Sequence, residues 1–532
     1  MTENDGRARK LWLYDTTLRD GAQGEGIQFS LGDKLDYIRS MQEWGAPYIE
    51  AGWPGANPKD DELFAALRAE GAFARPGRIV AFGSTCKAGT QAAQSPLLQA
   101  LLASGAPTVT IFGKSWGLHV REVLRADETE NLRIIHDSTA FLARSGIEVF
   151  FDAEHFFDGW KDDGDYARRV LEAALRGGAR GVVLCDTNGG ALPEEVERGV
   201  RAARETCGPE MLGIHVHNDG GLAVANTLAA VAAGANQFHC CWNGYGERCG
   251  NANLGTLVSL LQLKMGHEIV SAEQLARLTH LGRYVAELTN TLFDERQPFL
   301  GRSAFAHKAG MHVDAVLKDS RTFEHIDPAL VGNTRRILIS EQAGRANVWE
   351  RMRRLRRDVA KDHPFVAEAM RRIKEKENAG YQFEAAEGSL DLLLLDVLGA
   401  DAEPFVLEDY HVWSDPARGQ LDSVAVVKVA VGGESVHMAA EGDGPVNALD
   451  KALRRTLATF FPALEQSELI DYKVRVLDGS SGTGAQVRVL AETRFGQSKW
   501  GTIGVSANIL RASAKALIDA LYVVILAEQG RL

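Results

Sequence analysis

The first 265 or so residues repeat one pattern, and this repetition restricts the chain to few folds. A short apolar or β-branched run is followed by a polar loop and then by a segment with helical spacing of apolar residues. The predicted strands are Leu11–Asp15, Tyr48–Gly52, Arg78–Ser84, Thr108–Gly113, Glu148–Ala153, Gly181–Asp186, Leu212–Val216 and Gln237–Trp242. Eight such units match an α/β fold of the (β/α)8 or TIM barrel type, which typically has about 250 residues. A doubly wound sheet is the alternative, but no G-x-G-x-x-G motif follows the first strand.

The remainder of the chain predicts two further parts. Residues from about 270 to 390 have a helical pattern, and β-rich segments return after about residue 400. There a βββα unit occurs twice, and Lys451-Ala452-Leu453 and Lys515-Ala516-Leu517 occupy matching helix positions. We therefore predict a catalytic barrel over 1–270, helical linker subdomains over 271–390, and a duplicated βββα regulatory or dimerisation domain over 391–532.

Composition excludes several classes of protein. The net charge of −12 argues against a nucleic-acid binder, which usually presents a basic face. The polar segment Met1–Lys10 lacks the apolar run of a secretory signal, and the apolar segment Leu390–Leu398 is too short to cross a membrane. No two of the six cysteines form a C-x-x-C pair. These features favour a cytoplasmic protein with reduced thiols and no membrane partner.

A candidate metal site combines two distant segments. His215 and His217 are at i and i+2, so on a strand their imidazoles face the same side, at the C-terminal end of the seventh unit. Asp20 follows the first strand, and only the eighth strand separates the first from the seventh in a barrel. Two imidazoles and a carboxylate suit a divalent cation. The alternatives are a pair of hydrogen-bonded core histidines and, for Arg19 and Asp20, a surface salt bridge.

Other polar residues are expected at the same rim. Asn251 or Asn253 can supply a neutral oxygen to the metal or can cap the next helix, and spacing alone does not choose between these roles. Glu154 is a candidate base at the end of the fifth strand, with a structural salt bridge as the alternative. Thr187 offers a hydroxyl after the sixth strand.

The assembled motifs resemble those of the synthases that condense acetyl-CoA with 2-oxo acids, namely 2-isopropylmalate, homocitrate and citramalate synthases. The shared motifs are D-T-T-L-R-D-G-x-Q at Asp15–Gln23, H-x-H-N-D at His215–Asp219, N-G-x-G-E-R-x-G-N at Asn243–Asn251 and F-x-H-K-x-G-x-H-x-D at Phe305–Asp314. The resemblance covers essentially the whole chain. It implies an acyltransferase with acetyl-CoA as co-substrate.

Within this family, four segments are similar to the citramalate synthase branch: Gly52–Gly55, Gly113–Trp116, Asp152–Gly159 and Asn243–Leu254. The similarity implies pyruvate as acceptor and (R)-citramalate as product, an entry to isoleucine biosynthesis. We expect Trp53, Phe112 and Asp152 to limit the pocket against a branched 2-oxo acid.

The resemblance also implies roles for the site residues. Asp20, His215, His217 and Asn251 are implied as ligands of Zn²⁺, Mn²⁺ or Mg²⁺. Arg19 is implied to stabilise the developing alkoxide, and Thr187 to bind the pyruvate carboxylate. Glu154 and His312 are implied to share the role of base toward acetyl-CoA.

The resemblance also implies functions for the linker and for the C-terminal domain. The segment with His312 can cross to a partner chain in this family, which implies a homodimer with shared active sites. Phe323 stands where relatives generally carry tyrosine, so a hydrogen bond or proton relay by that hydroxyl is lost. Three consequences stay open: water replaces the hydroxyl, its role is dispensable, or turnover is reduced. The duplicated domain implies isoleucine as effector, and the turn Gly442-Asp443-Gly444-Pro445 is the expected contributor to its site.

Two other functions stay open at this stage. One is a 2-isopropylmalate synthase that uses 2-oxoisovalerate, which product analysis distinguishes. The other is a non-enzymatic amino-acid sensor, which predicts a decayed metal shell. A biotin-dependent carboxylase is disfavoured because the sequence has no M-K-M motif.

Overall fold

The computed structural model describes residues 9–208, 210–340, 343–355, 359–414 and 423–532. Most of the polar N-terminal segment considered above, residues 1–8, therefore lies outside the described residues. The chain forms two compact units. The first contains the residues up to Phe305 together with Ile326–Thr334, and the second contains Ala306–His325 and the residues from Arg335 onward.

Eight parallel strands of the first unit close into a barrel in the order β1 to β8, and the (β/α)8 prediction is confirmed. The strands are β1 Trp12–Asp15, β2 Tyr48–Gly52, β3 Arg78–Ser84, β4 Thr108–Lys114, β5 Glu148–Glu154, β6 Gly181–Asp186, β7 Met211–Val216 and β8 Gln237–Cys240. β8 ends two residues before the predicted boundary. Trp242–Gly244 instead form a 3-10 turn, in which Asn243 adopts a left-handed φ of 55°.

Helices surround the barrel as the 3.6-residue periodicity predicts. They are α1 Leu31–Trp44, α2 Pro58–Ala69, α3 Pro96–Ser104, α4 Gly117–His119, α5 Glu128–Arg144, α6 Phe156–Asp162, α7 Gly164–Arg176, α8 Pro193–Cys207, α9 Ala223–Ala233, α10 Leu254–Leu263, α11 Ala272–Leu275 and α12 Leu278–Leu288. Their starts follow ordinary capping chemistry: Ser30, for example, accepts a hydrogen bond from the Asp33 amide and forms a capping box with that residue.

The strands divide their side chains between two cores, because successive residues of a strand face opposite sides. Phe150 faces the barrel interior and belongs to a cluster with Tyr14, Tyr48, Val80 and Met211. Phe151, the next residue, belongs to the layer between the strands and the helices. The apolar part of the barrel interior is thus formed by residues of β1, β2, β3, β5 and β7.

The second unit begins with short elements and helices. They are β9 Ala306–His307, α13 Gly310–Lys318, β10 Arg336–Ile337, α14 Arg345–Leu355, α15 Pro364–Asn378 and α16 Glu387–Val397. The predicted duplicated βββα module follows and is confirmed as two three-stranded antiparallel sheets, each followed by a helix. Its elements are β11 Val406–Ser414, β12 Ser423–Val431, β13 Glu434–Gly442, α17 Pro445–Leu457, β14 Ser467–Val476, β15 Val487–Phe495, β16 Ser498–Ser506 and α18 Ile509–Glu528.

In this module too, every second residue of a strand faces the core. Ala425, Val427 and Val429 of β12 are fully buried and pack in one cluster with residues of α17 and α18. None of the helices in the described ranges is both long and apolar enough to span a lipid bilayer.

Packing in the layer between strands and helices predicts how a substitution there changes the free energy of unfolding. Phe151→Ala should lower the free energy of unfolding by about 3–5 kcal/mol, because a fully buried ring is replaced by a cavity. Leu292→Ala is the control, since Leu292 is 99% exposed, and should change it by less than about 0.5 kcal/mol. Urea unfolding followed by tryptophan fluorescence measures both, and equal midpoints for the two variants would contradict this packing.

Candidate active site and metal centre

A tight turn after β1 carries Arg19 and Asp20 to the mouth of the barrel. Asp15, the last residue of β1, accepts hydrogen bonds from the Thr17 amide (3.0 Å) and the Thr17 hydroxyl (2.6 Å). The Asp20 amide then donates to the Thr16 carbonyl at 2.9 Å. The D-T-T-L-R-D segment is therefore a folded turn, and its side-chain hydrogen bonds hold Asp20 in place.

The structure brings Asp20, His215 and His217 together as the spacing predicts. The Nε2 atoms of His215 and His217 lie 3.2 and 3.9 Å from Asp20 Oδ2, and 3.3 Å from each other. One potential ligand atom from each residue lies within 4.8 Å of the others, and all three residues are buried. The chain therefore has a candidate site for a metal ion at the carboxyl ends of β1 and β7.

Several buried polar atoms in and beside this cluster lack hydrogen-bond partners within the described ranges. Asp20 Oδ1 and the Nδ1 atoms of His215 and His217 are buried and have no hydrogen-bond partner among the described residues. A buried polar atom without a partner costs free energy, so native proteins rarely keep several in one place without a ligand, ion or water.

The electrostatics give these groups the protonation states that a metal requires. Burial would raise the pKa of Asp20, but the Arg19 guanidinium and the two histidines outweigh it and hold this pKa below its usual range. Burial, followed by the neighbouring His215, lowers the pKa of His217 to about 4. At neutral pH the site thus presents a carboxylate and a neutral imidazole at His217, which are the forms that ligate metals.

The sequence did not decide whether Asn251 or Asn253 supplies an oxygen to the metal, and the structure separates the two residues. Asn253 caps α10, since its Oδ1 accepts a hydrogen bond from the Thr256 amide at 3.1 Å. Asn251 forms a backbone bridge with His217, and its Nδ2 donates to the Tyr245 carbonyl at 3.1 Å. Its Oδ1 is buried without a partner among the described residues. The amide oxygen of Asn251 is therefore the one available beside the histidines.

Arg19 is held by a residue that the sequence analysis did not identify. Its Nε donates to Glu50 Oε1 at 2.6 Å, and its Nη1 lies 3.2 Å from Asp20 Oδ2. Glu50 is fully buried and accepts a second hydrogen bond from the Tyr14 hydroxyl at 2.7 Å. The guanidinium also lies over the Phe82 ring at 3.8 Å from its centroid. These contacts fix the cation beside Asp20.

Asp152 is a second buried acid in this region, and the sequence analysis considered it only as part of the pocket wall. It is 4% exposed, and its Oδ1 has no hydrogen-bond partner among the described residues. Burial, with a further contribution from Glu50, raises the pKa of Asp152 to about 7. The strand period offered the only signal for it, because Asp152 precedes Glu154 by two residues and shares its face.

Glu154 and Thr187 lie at the neighbouring strand ends. Glu154 forms an ion pair with Lys114, the last residue of β4. The Thr187 hydroxyl oxygen accepts a hydrogen bond from the His155 amide at 2.9 Å, so its O–H remains able to donate. Lys114 is a further residue to which the sequence analysis gave no role.

His312 belongs to the second unit, whereas the other predicted site residues belong to the first. It lies in α13, is exposed, and stacks on Phe323 with ring centroids 4.1 Å apart. Next to Phe323, the buried Glu324 pairs with His307 at 3.1 Å and with Arg335 at 2.5 Å. Phenylalanine at position 323 thus provides a stacking surface for the imidazole.

Comparison with known proteins assigns the family. An HMGL-like family model matches residues 10–285, a homocitrate synthase post-HMGL domain-like model matches 299–380, and a LeuA allosteric (dimerisation) domain model matches 384–525. The (R)-citramalate synthase of Aquifex aeolicus (strain VF5) is 46% identical over 516 residues, covering 97% of each chain. The (R)-citramalate synthase of Synechocystis sp. (strain PCC 6803) is 47% identical over 523 residues, covering 96% of this chain and 95% of that protein.

The chain belongs to the (R)-citramalate synthase family. A 2-isopropylmalate synthase from Carboxydothermus hydrogenoformans is more distant, at 30% identity over 519 residues and 96% of each chain. The prediction of an acyltransferase of the citramalate synthase type is confirmed.

The convergence of Asp20 Oδ2 with the Nε2 atoms of His215 and His217 predicts that the protein binds a metal ion. Metal-free protein should bind Mn²⁺ or Zn²⁺ at one site per chain in calorimetric titration. His217→Ala should weaken the affinity by at least about 100-fold, because loss of a direct ligand exceeds the 10- to 100-fold cost of losing a supporting group. His411→Ala, which removes an exposed imidazole of the second unit, should leave the affinity unchanged. Wild-type affinity in His217→Ala would exclude this site.

Proposed function

We propose that the chain condenses acetyl-CoA with pyruvate and water to give (R)-citramalate and CoA, as an entry to isoleucine biosynthesis. Relatives named (R)-citramalate synthase at 41–47% identity over 96–97% of the chain support this activity. The observation that carries the proposal is the buried cluster of Asp20, His215 and His217, whose potential ligand atoms converge beside the fixed Arg19.

Asp20, His215, His217 and Asn251 are the proposed metal ligands. This set of nitrogen and oxygen donors suits Zn²⁺, Mn²⁺ and Mg²⁺. A divalent cation bound there would supply Lewis-acid polarisation of the pyruvate carbonyl. The orphaned Asn251 Oδ1 supports its inclusion, because the other end of that amide is already committed to the Tyr245 carbonyl.

Arg19 and Thr187 are proposed to hold pyruvate. The Thr187 hydroxyl donates to the substrate carboxylate, since its oxygen already accepts the His155 amide. The Arg19 guanidinium stabilises negative charge on the ketone oxygen as the new bond forms. Glu50 contributes by fixing Arg19 in advance, so little reorganisation is needed when the charge develops.

The carbon–carbon bond requires removal of a proton from the acetyl methyl group. We propose that Glu154 and His312 share this role, with Lys114 positioning the Glu154 carboxylate. The methylene carbon then attacks C2 of pyruvate, and the resulting alkoxide takes up a proton to give citramalyl-CoA. Water adds to the thioester carbonyl and the C–S bond breaks, releasing CoA as the thiol and leaving the citramalate carboxylate.

Selectivity for pyruvate is proposed to come from an aromatic wall beside Arg19. Trp53 packs edge-on against Phe82 and Phe112, with ring centroids 5.5 and 5.7 Å apart, and Phe82 stacks on Phe112 at 5.6 Å. Such mutually packed rings cannot move aside cheaply for a branched substituent. With Asp152, they limit the space available to a 2-oxo acid larger than pyruvate.

We also propose that the chain is a homodimer regulated by isoleucine. The match of residues 384–525 to an allosteric dimerisation domain supports this organisation. The turn Gly442–Pro445 is proposed to help bind the effector, since Gly444 precedes α17 and leaves helix-end amides to hold a carboxylate. The division into 1–270, 271–390 and 391–532 stays a prediction, which the three family-model ranges support.

An assay of CoA thiol release tests the proposed reaction. Wild-type protein with acetyl-CoA and pyruvate should release thiol and form citramalate, and a chelator should abolish the activity until metal is restored. Glu154→Gln should lower kcat by about 10²- to 10⁴-fold, the usual contribution of an acid–base group. Metal affinity should be retained in this variant, and Glu172→Gln on the outer face of α7 should behave as wild type.

Two results of this assay would overturn the proposal. Faster turnover of 2-oxoisovalerate than of pyruvate would indicate a 2-isopropylmalate synthase. No thiol release with any 2-oxo acid, together with binding of an amino acid, would indicate a non-enzymatic sensor.

A further inference from the structure

A second polar region of the barrel mouth is not used by the proposed chemistry. It follows β4, where α4 continues into a single π-helical turn over Val120–Leu124. Arg121 lies in this turn, and Arg125 ends it with a left-handed φ of 54°. π-helical turns and left-handed non-glycine residues are uncommon and concentrate at functional sites. The unusual backbone places both arginines on the same loop.

The two arginines have exposed side chains without an acidic partner. Neither Arg121 nor Arg125 forms an ion pair with a carboxylate of the described residues, although most arginines of the surrounding helices do so. Together with Arg133 they line an open depression of about 860 Å³. Its two carboxylates are already engaged: Asp127 caps α5, and Glu130 pairs with Arg133 and accepts the Gly89 amide.

A row of contacts leads from the proposed pyruvate site toward the segment that carries the two arginines. The His155 amide donates to Thr187, and the His155 ring lies 4.1 Å from the His119 ring, centroid to centroid. Trp116 stacks on His119 at 5.2 Å and lies 5.8 Å from His155. Thr187, His155, His119 and Trp116 thus form a row of contacts from the proposed pyruvate site to α4. Arg121 and Arg125 lie in and at the end of the π-helical turn that follows α4 directly.

We propose that Arg121 and Arg125 bind the phosphate groups of acetyl-CoA, with its acetyl end at Glu154 and its adenosine 3′-phosphate moiety over the depression. Arginine is suited to this role because its guanidinium binds phosphate oxygens through two parallel hydrogen bonds. The rings of Trp116 and His119 offer stacking surfaces along the way. This inference rests on the proposed function, which supplies a phosphorylated thioester as substrate.

Steady-state kinetics of a double variant tests the inference. In Arg121→Gln/Arg125→Asn, asparagine is chosen at 125 because it tolerates the left-handed backbone. The KM for acetyl-CoA should rise at least tenfold, whereas kcat and the KM for pyruvate should stay within twofold. Arg121→Lys/Arg125→Lys keeps the charges but loses the parallel hydrogen bonds, so its KM for acetyl-CoA should lie between those of the wild type and the double variant. Arg144→Gln, at the far end of α5, is the matched control and should behave as wild type.

Two further measurements separate phosphate binding from an indirect structural effect. The KM for acetyl-CoA of the wild type should increase with salt concentration, and that of the double variant should depend on salt much less. Wild type should also prefer acetyl-CoA over acetyl-dephospho-CoA, and the double variant should lose this preference. An unchanged KM for acetyl-CoA in the double variant, or an unchanged preference, would overturn the inference.

Failure of the proposed function gives a different result. In that case the wild type itself would release no thiol from acetyl-CoA and pyruvate. Calorimetric binding of adenosine 3′,5′-bisphosphate would then still test the arginines, with binding by the wild type and its loss in the double variant as the expected outcome. Equal binding by both proteins would refute the site.

Discussion

Closure of the barrel between β1 and β8 is the constraint on which the candidate site depends. Trp12 to Asp15 pair in register with Gln237 to Cys240, and the Thr16 amide continues this pairing to the Cys240 carbonyl at 2.9 Å. Beyond the strands, the Trp242 amide donates to the Thr17 hydroxyl at 2.9 Å. These bonds join segments more than 200 residues apart in the chain. Without them Asp20 would have no fixed position relative to His215 and His217.

The barrel interior contains buried polar groups without hydrogen-bond partners in the described part of the chain, which lowers its stability. Both ring nitrogens of His239 and both polar ends of Gln237 are buried without a partner among the described residues, as is Asp152 Oδ1. His239 stacks on Tyr14 at 4.0 Å, and Tyr14 in turn bonds to Glu50, which holds Arg19. An apolar interior would be more stable, but it could not hold the buried Arg19 guanidinium beside the candidate metal ligands.

Much of the fold could be predicted from the sequence because its main signals are local. Strand positions followed from apolar runs, and His215 and His217 followed from the two-residue period of a strand. Glu50 and Asp152 could not be predicted in the same way. The roles of these two residues depend on which strands are neighbours in the closed barrel. Glu50 pairs with Arg19, and burial, with a further contribution from Glu50, raises the pKa of Asp152. The end of β8 was also predicted wrongly, because Cys241 and Trp242 continue the apolar run although the strand ends at Cys240.

The most direct measurement is an anomalous diffraction map of crystals soaked with Mn²⁺ and pyruvate. The account predicts one strong peak per chain, within coordination distance of Asp20, His215 and His217, with the Asn251 amide oxygen turned toward it and pyruvate beside Arg19. No peak between these side chains, or a peak elsewhere in crystals that turn over substrate, would contradict the assignment of this cluster as the catalytic metal site.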